Sequence, residues 1–199
     1  TPALDWSEFP GQPGGLMGAA EMCNNNGACR KLQGGAMCPS YRVTRNEKDL
    51  TRGRANVLRL ALSGQLGPEA MTSEAMAEAM KLCVSCKACR RECPTGVDVA
   101  RLNIEVKAAR AARHGVSMRD KLVAYMPRYA PLARRVPWLM NAREWVPGAR
   151  HLTELTLGLA ASRPLPTWRG DVFDPGAMSL GPADGREVVL WADTFSRYF

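Results

Sequence analysis

Apolar residues recur at helical spacing in three stretches of the chain. In T-R-G-R-A-N-V-L-R-L-A-L-S-G, residues 51–64, an apolar face is supplied by Val57, Leu58, Leu60, Ala61 and Leu62. Thr51 is the expected N-cap and Gly64 the expected stop. A second stretch, S-E-A-M-A-E-A-M-K-L, leads directly into Cys83; Ser73 caps it and Glu74 suits the positive end of the helix. The third starts near Asp98 and ends at Gly115, with Val99, Leu102, Ile104 and Val106 expected to face inward. No hairpin signal breaks this region, so residues 17–116 are expected to be a helical domain.

Elsewhere the pattern loosens. Residues 1–16 are rich in Pro and Gly and read as a linker or surface arm. Residues 117–161 continue as a helical extension, opened by a capping pair at Ser117 and Asp120 and cut short by Pro127, Pro131, Pro137 and Pro147. There Tyr125, Tyr129, Trp138 and Trp145 stand among Arg128, Arg134, Arg135 and Arg143. This is either a membrane-surface or quinone-facing patch, or an amphipathic cover that buries aromatics over the core or a neighbouring domain. The proline spacing prevents a long interfacial helix and favours the cover. Residues 162–185 read as an extended linker. In residues 186–199, Val188, Val189 and Leu190 make a strand of the buried type, which needs a sheet that this chain does not supply. That strand is expected to open a following domain. The chain also starts at Thr1 without an initiator Met, as a piece of a longer protein would.

Composition narrows the class. Hydrophobic content of 46% and charged content of 23% over 199 residues are those of a globular protein. No run of about eighteen apolar residues exists, so no transmembrane segment is expected. The first ten residues lack the basic start and apolar run of a signal peptide. The net charge of +8 brings nucleic acid to mind, yet Lys and Arg are interleaved with acids along the chain. A solvated surface, or docking onto an acidic partner domain, fits better than nucleic acid.

The chemistry lies in seven cysteines, an odd count that suits ligation better than disulfides. Residues 83–94 read C-V-S-C-K-A-C-R-R-E-C-P, the C-x2-C-x2-C-x3-C-P spacing of a bacterial iron–sulfur motif. Cys83, Cys86 and Cys89 can take three corners of one cubane, whereas in two-cluster ferredoxins the fourth cysteine, here Cys93, binds the other cluster. A zinc site or redox dithiol is the alternative, but zinc knuckles usually pair C-x2-C with a distant partner pair. The group Cys23, Cys29, Cys38-Pro39 repeats this pattern. Asn26 stands where the middle thiol belongs, and eight residues instead of three separate Cys29 from Cys38.

With these residues read, the chain resembles the iron–sulfur portion of large FAD-linked oxidases of the D-lactate and D-2-hydroxyglutarate dehydrogenase type. The resemblance rests on E-M-C-N-N-N-G-A-C-R-K, M-C-P-S-Y-R-V-T-R-N-E, T-R-G-R-A-N, S-G-Q-L-G and L-C-V-S-C-K-A-C-R-R-E-C-P-T-G-V-D. It implies an FAD-binding domain before this segment and a cysteine-rich domain after it, which D-T-F-S-R-Y-F would open. The two-cluster core is similar to the α-helical ferredoxin-like domain of the succinate dehydrogenase iron–sulfur subunit, where a C-x5-C lacking its middle thiol holds a three-iron cluster. By that likeness Cys83, Cys86, Cys89 and Cys38 form a complete set for a [4Fe–4S] cluster. Cys23, Cys29 and Cys93 form an incomplete one, [3Fe–4S] or [4Fe–4S], in which Asn26 leaves the fourth corner short of an iron, to a weak oxygen ligand or to water.

The expected function is electron transfer from a reduced flavin, which has oxidised a D-2-hydroxyacid, to a downstream acceptor, a quinone being one candidate. The segment itself holds no substrate-catalytic residue in this reading. It is expected in the cytoplasm, at most peripheral to the inner face of the membrane. Two rivals stand beside it: a separate iron–sulfur subunit of a glycerol-3-phosphate dehydrogenase or heterodisulfide-reductase-like complex, and a non-redox scaffold stabilised by metal.

Overall fold

The computed structural model describes residues 1–174, 176, 181–182 and 184–199. It is mainly helical, with no strand among the described residues, and divides into units of residues 1–115 and 116–199. In the first unit α1 (Gly15–Glu21), α2 (Pro39–Thr44), α3 (Thr51–Leu62), α4 (Glu74–Lys81), α5 (Ala88–Glu92) and α6 (Val99–His114) are joined by short loops and 3₁₀ turns. Helix α3 is central and packs against α1, α4 and α6.

The buried stripe of α3 is Ala55, Leu58 and Ala61, at three-residue spacing, while Val57, Leu60 and Leu62 are half-buried at its edges. Leu58 meets Leu50, Met76, Val97, Val99, Leu102 and Val106 in one core. Thr51 is not the N-cap that its type suggests. Leu50 holds that position, and the Thr51 hydroxyl turns instead to the sulfur of Cys38. Beyond Leu62, Gly64 takes a left-handed conformation that stops the helix. Ser73 caps α4 by accepting from Met76 N–H, and Asp98 caps α6 by accepting from Arg101 N–H. On α6, Val99, Leu102 and Val106 are buried as expected, but Ile104 is 45% exposed. It lies two residues, about 200°, round from Leu102.

The buried polar residue on α6 explains the N-terminal segment. Glu105 accepts from the backbone N–H groups of Ala3 and Leu4, each at 2.7 Å, and from the Trp6 indole at 2.8 Å. Arg101 lies over the Trp6 ring at 4.2 Å and pairs with Glu8. Residues 1–14 are thus not a free arm. Their Pro and Gly content hides Leu4, Trp6 and Phe9, which pack on the core and lead into α1.

The second unit holds α7 (Met118–Ala124), α8 (Met126–Ala133), α9 (Pro137–Met140), α10 (Ala142–Trp145), α11 (Ala149–Leu157) and α12 (Thr194–Tyr198). Ser117 caps α7 reciprocally with Asp120. Prolines set the breaks, except that Pro131 lies inside α8. A small core gathers Ala130, Ala133, Trp168 and Tyr198, with Trp168 and Phe199 rings 4.4 Å apart. Tyr125, Trp138 and Trp145 are exposed; Tyr129 alone of the four is half-buried, against Trp168. Val188, Val189 and Leu190 form no strand: they are exposed and without regular structure, because no second strand exists among the described residues to pair with. Residues 175, 177–180 and 183 of the expected linker lie outside the described residues.

This packing separates two substitutions. Leu58→Ala should cost about 2–5 kcal/mol by emptying a fully buried site. Ile104→Ala, despite the same apolar chemistry, should stay within about 0.5–1 kcal/mol. Denaturant unfolding followed by helical circular dichroism measures both, and equal losses would show that Ile104 is a core residue.

Candidate metal centre

Two helix–loop–helix turns carry the cysteines, and they share one backbone design sixty positions apart. Helix α1 ends just before Cys23 and α4 just before Cys83. Within each loop the second residue after the first cysteine is left-handed, Asn25 at φ 61° and Ser85 at φ 53°. So is the fourth, Gly27 at φ 77° and Lys87 at φ 55°. Each loop then enters a helical turn carrying the third cysteine position, Ala28–Arg30 with Cys29 and α5 with Cys89, and both thiols are buried. The repeat visible in the cysteine spacing is therefore also a repeat of dihedral angles, and it sets Asn26 at the place of Cys86.

Cys38, Cys83, Cys86 and Cys89 line a single small cavity together with Thr51, Arg54, Lys87, Val99 and Ala100. The far-off Cys38 is brought there by its own left-handed backbone, φ 52°, at the start of α2. Two groups from the first turn of α3 fix its sulfur: Thr51 N–H donates to it at 3.1 Å, and the Thr51 hydroxyl shares a hydrogen bond with it at 3.0 Å. The first turn of α6 likewise aims the Val99 and Ala100 N–H groups at Cys89. Burial pushes the Cys38 and Cys89 thiols up, and these donors pull the other way without cancelling it. Four soft donors around one cavity, with N–H groups aimed at the sulfurs, fit an iron–sulfur cluster. Among the described residues no three His, Cys, Asp or Glu side chains close on a single ion-sized point. Thiolates bound at about 2.3 Å to one ion nearly touch, whereas the corners of a cubane stand further apart.

Cys23, Cys29 and Cys93 come from three segments. Arg52 lies within electrostatic reach of both Cys23 and Cys29, and α5, which Cys93 follows, packs on the turn bearing Cys29. Burial raises the Cys29 thiol against the Arg52 N–H that faces it. At Cys93 burial also pushes up, but the Thr95 hydroxyl and the N–H groups of Val97, Thr95 and Gly96 win and hold the thiol below its ordinary value. Asn26 is committed locally: its Oδ1 accepts from Ala28 N–H at 2.9 Å and its Nδ2 donates to Asn24 at 2.6 Å.

Several residues that the cysteine spacing does not reveal serve both loops. In T-R-G-R-A-N, Thr51 N–H donates to Cys38 and Asn56 donates to Asn25 at 2.8 Å. Arg52 pairs with Glu47, and Gly53 lets α3 approach the Glu47 carbonyl, where a Cβ would collide. Arg54 is buried, donating to Ala79 O at 2.9 Å and Ser40 Oγ at 3.1 Å. Their signal was in plain sight, since this stretch reads too polar for a helix expected only to pack. Glu92 accepts from Ala36 N–H at 2.7 Å and Met37 N–H at 3.0 Å, pinning the approach to Cys38 onto α5. Left-handed Gly35 is needed here, because a Cβ would collide with the Glu92 carboxylate.

Residues 19–97 match the family model described as a 4Fe-4S dicluster domain. The chain is 26% identical over 240 aligned residues to D-2-hydroxyglutarate dehydrogenase of Pseudomonas putida, covering 98% of this chain and 23% of that protein. It is 29% identical over 177 residues to D-2-hydroxyglutarate dehydrogenase of Escherichia coli, covering 71% of this chain and 17% of that one. The chain thus spans less than a quarter of these curated relatives. No solved structure matches it.

The two N–H donors that Glu92 receives hold its carboxyl below the ordinary value of 4.5. A carboxyl with a depressed folded value contributes stability above its unfolded value and loses it as pH falls through the folded one. Wild type should therefore exceed Glu92→Gln in thermal stability by a constant margin at neutral pH, and the margin should close below about pH 4. A margin independent of pH would show that charge plays no part.

Proposed function

We propose that this chain, a 4Fe-4S dicluster segment homologous to D-2-hydroxyglutarate dehydrogenases, is the electron-transfer module of an FAD-dependent D-2-hydroxyacid dehydrogenase. The observation that carries the reading is the cavity shared by Cys38, Cys83, Cys86 and Cys89. A flavin takes two electrons with the hydride of a 2-hydroxy acid, and iron–sulfur clusters when bound accept them one at a time. The protein's own part is to hold and orient. Cys38, Cys83, Cys86 and Cys89 hold a [4Fe–4S] cluster, while Thr51, Val99 and Ala100 direct N–H groups at the sulfurs. Cys23, Cys29 and Cys93 hold the second cluster. The turn that occupies the Asn26 amide supports a corner without a protein ligand, hence a [3Fe–4S] centre or a [4Fe–4S] centre with one labile iron.

Substrate oxidation belongs in this reading to an FAD-binding domain of the parent protein, and onward transfer to a following cysteine-rich domain and a downstream acceptor such as a quinone. No helix among the described residues is long and apolar enough to cross a membrane. Action in the cytoplasm, or at the inner membrane face through a peripheral contact, agrees with that.

Ligand exchange tests the assignment. Cys38→Ala should remove the centre held by Cys83, Cys86 and Cys89 although it lies forty-five positions before Cys83, and Cys93→Ala should remove the other centre first. Iron analysis and paramagnetic resonance read each loss; two centres surviving in either variant would refute it. Anaerobically prepared protein should carry roughly seven irons with a paramagnetic signal when oxidised, and Asn26→Cys should add about one iron and quench that signal. Eight tightly held irons, silent when oxidised, would rule out the three-iron centre. A visible charge-transfer band that bleaches with dithionite is expected, and its absence would turn the reading to a colourless metal scaffold.

A further inference from the structure

Arg54 is the one cation on α3 sealed from water, at 3% exposure. Its guanidinium donates only to neutral oxygens, Ala79 O and Ser40 Oγ, and among the described residues no carboxylate pairs with it. An unpaired buried charge is strongly unfavourable, so something of opposite sign is to be expected beside it. Its neighbour is the thiol cavity: Arg54 lines it with Cys38, Cys83, Cys86 and Cys89, and its charge is felt at Cys38. Arg52, two residues earlier, makes the contrast. It lies near Cys23 and Cys29 but is partly exposed and already paired with Glu47.

Resting on the cluster assignment above, we infer that Arg54 is a positioning residue whose buried charge balances the cluster of the Cys38 cavity and sets that cluster's reduction potential. Reduction adds one electron from the donor to the cluster, with no bond made or broken and no proton taken by Arg54. The added negative charge sits beside a fixed positive one in a poorly screened interior, so the reduced form is favoured. Removing the charge should drive the potential down at this cluster and leave the other largely unchanged.

The test is an equilibrium redox titration of the cluster-loaded chain, each centre followed by its own paramagnetic signal. At the wild-type midpoint, Arg54→Gln should lower the reduced-to-oxidised ratio of the Cys38-side centre at least tenfold, a shift of about 59 mV for one electron. Arg54→Lys should restore most of it, and Arg59→Gln, on the same helix, should do nothing. If Arg54→Gln loads poorly, thermal melts of apo and loaded protein replace it. Cluster loading should then raise the melting temperature of wild type more than that of Arg54→Met, because only in wild type does loading also neutralise a stranded charge. Iron content and signals absent from wild type itself would fail the cluster assignment. With clusters present, an unchanged potential in Arg54→Gln, or one that Arg54→Lys does not restore, overturns the inference and leaves Arg54 as a tie between α3, α4 and Ser40. Equal gains on loading in wild type and Arg54→Met overturn it also.

Discussion

The first unit is arranged by a mutual need. The first turn of every α-helix leaves N–H groups without partners, and ligating sulfurs need donors. Helix α3 satisfies both halves of the cysteine pattern at once, with Thr51 N–H on Cys38 and Arg52 N–H facing Cys29. Helix α6 does the same for Cys89 through Val99 and Ala100. Two helix starts therefore converge on the thiols, and their positive ends favour the thiolate form that ligation requires. The core follows from this aim. Leu58 on α3 and Val99, Leu102 and Val106 on α6 meet because the helices bearing them are pointed at the same place.

The duplication is faithful through the third cysteine position and then breaks. Asn25 and Gly27 match Ser85 and Lys87 in backbone conformation, so the two loops are one device used twice. After Cys89 the chain reaches Cys93 past three residues of α5, with Cys93 itself extended at φ −74° and ψ 126°. After Cys29 it takes eight residues, turns at left-handed Gly34 and Gly35 beneath Glu92, and delivers Cys38 at φ 52°. Those extra residues let the fourth cysteine of one half reach the loop of the other.

The three core helices were legible because each shows apolar spacing, and two of them add a capping side chain, Ser73 and Asp98. The four thiols that meet around one cavity were legible from spacing and likeness together. What failed did so for physical reasons. Thr51 looks like a cap, but its hydroxyl has a better-placed partner in the Cys38 sulfur, a residue thirteen positions away that no local rule can see. The N-terminal segment looks like an arm by composition, yet one carboxylate, Glu105, a hundred residues on, collects its N–H groups. Val188–Leu190 read as a strand because hydrophobic runs speak to burial, while a strand also needs a partner, and none of the described residues provides one. Helices α2 and α5 are too short for any periodicity to declare them.

Arg52 and Arg54 show how finely the remaining polarity is placed. Both lie in the first turn of α3, and both face cysteines. Arg52 looks outward past Gly27, where it shares the Glu47 carboxylate with Arg30. Arg54 looks inward, where only a backbone carbonyl and a hydroxyl receive it. One turn of helix thus presents a carboxylate-paired cation on the side of Cys29 and one without a carboxylate on the side of Cys38. A surface ion pair such as Arg52–Glu47 contributes little to stability. On the inference drawn for Arg54, the asymmetry distributes positive potential between two sites that the backbone repeat would otherwise make alike.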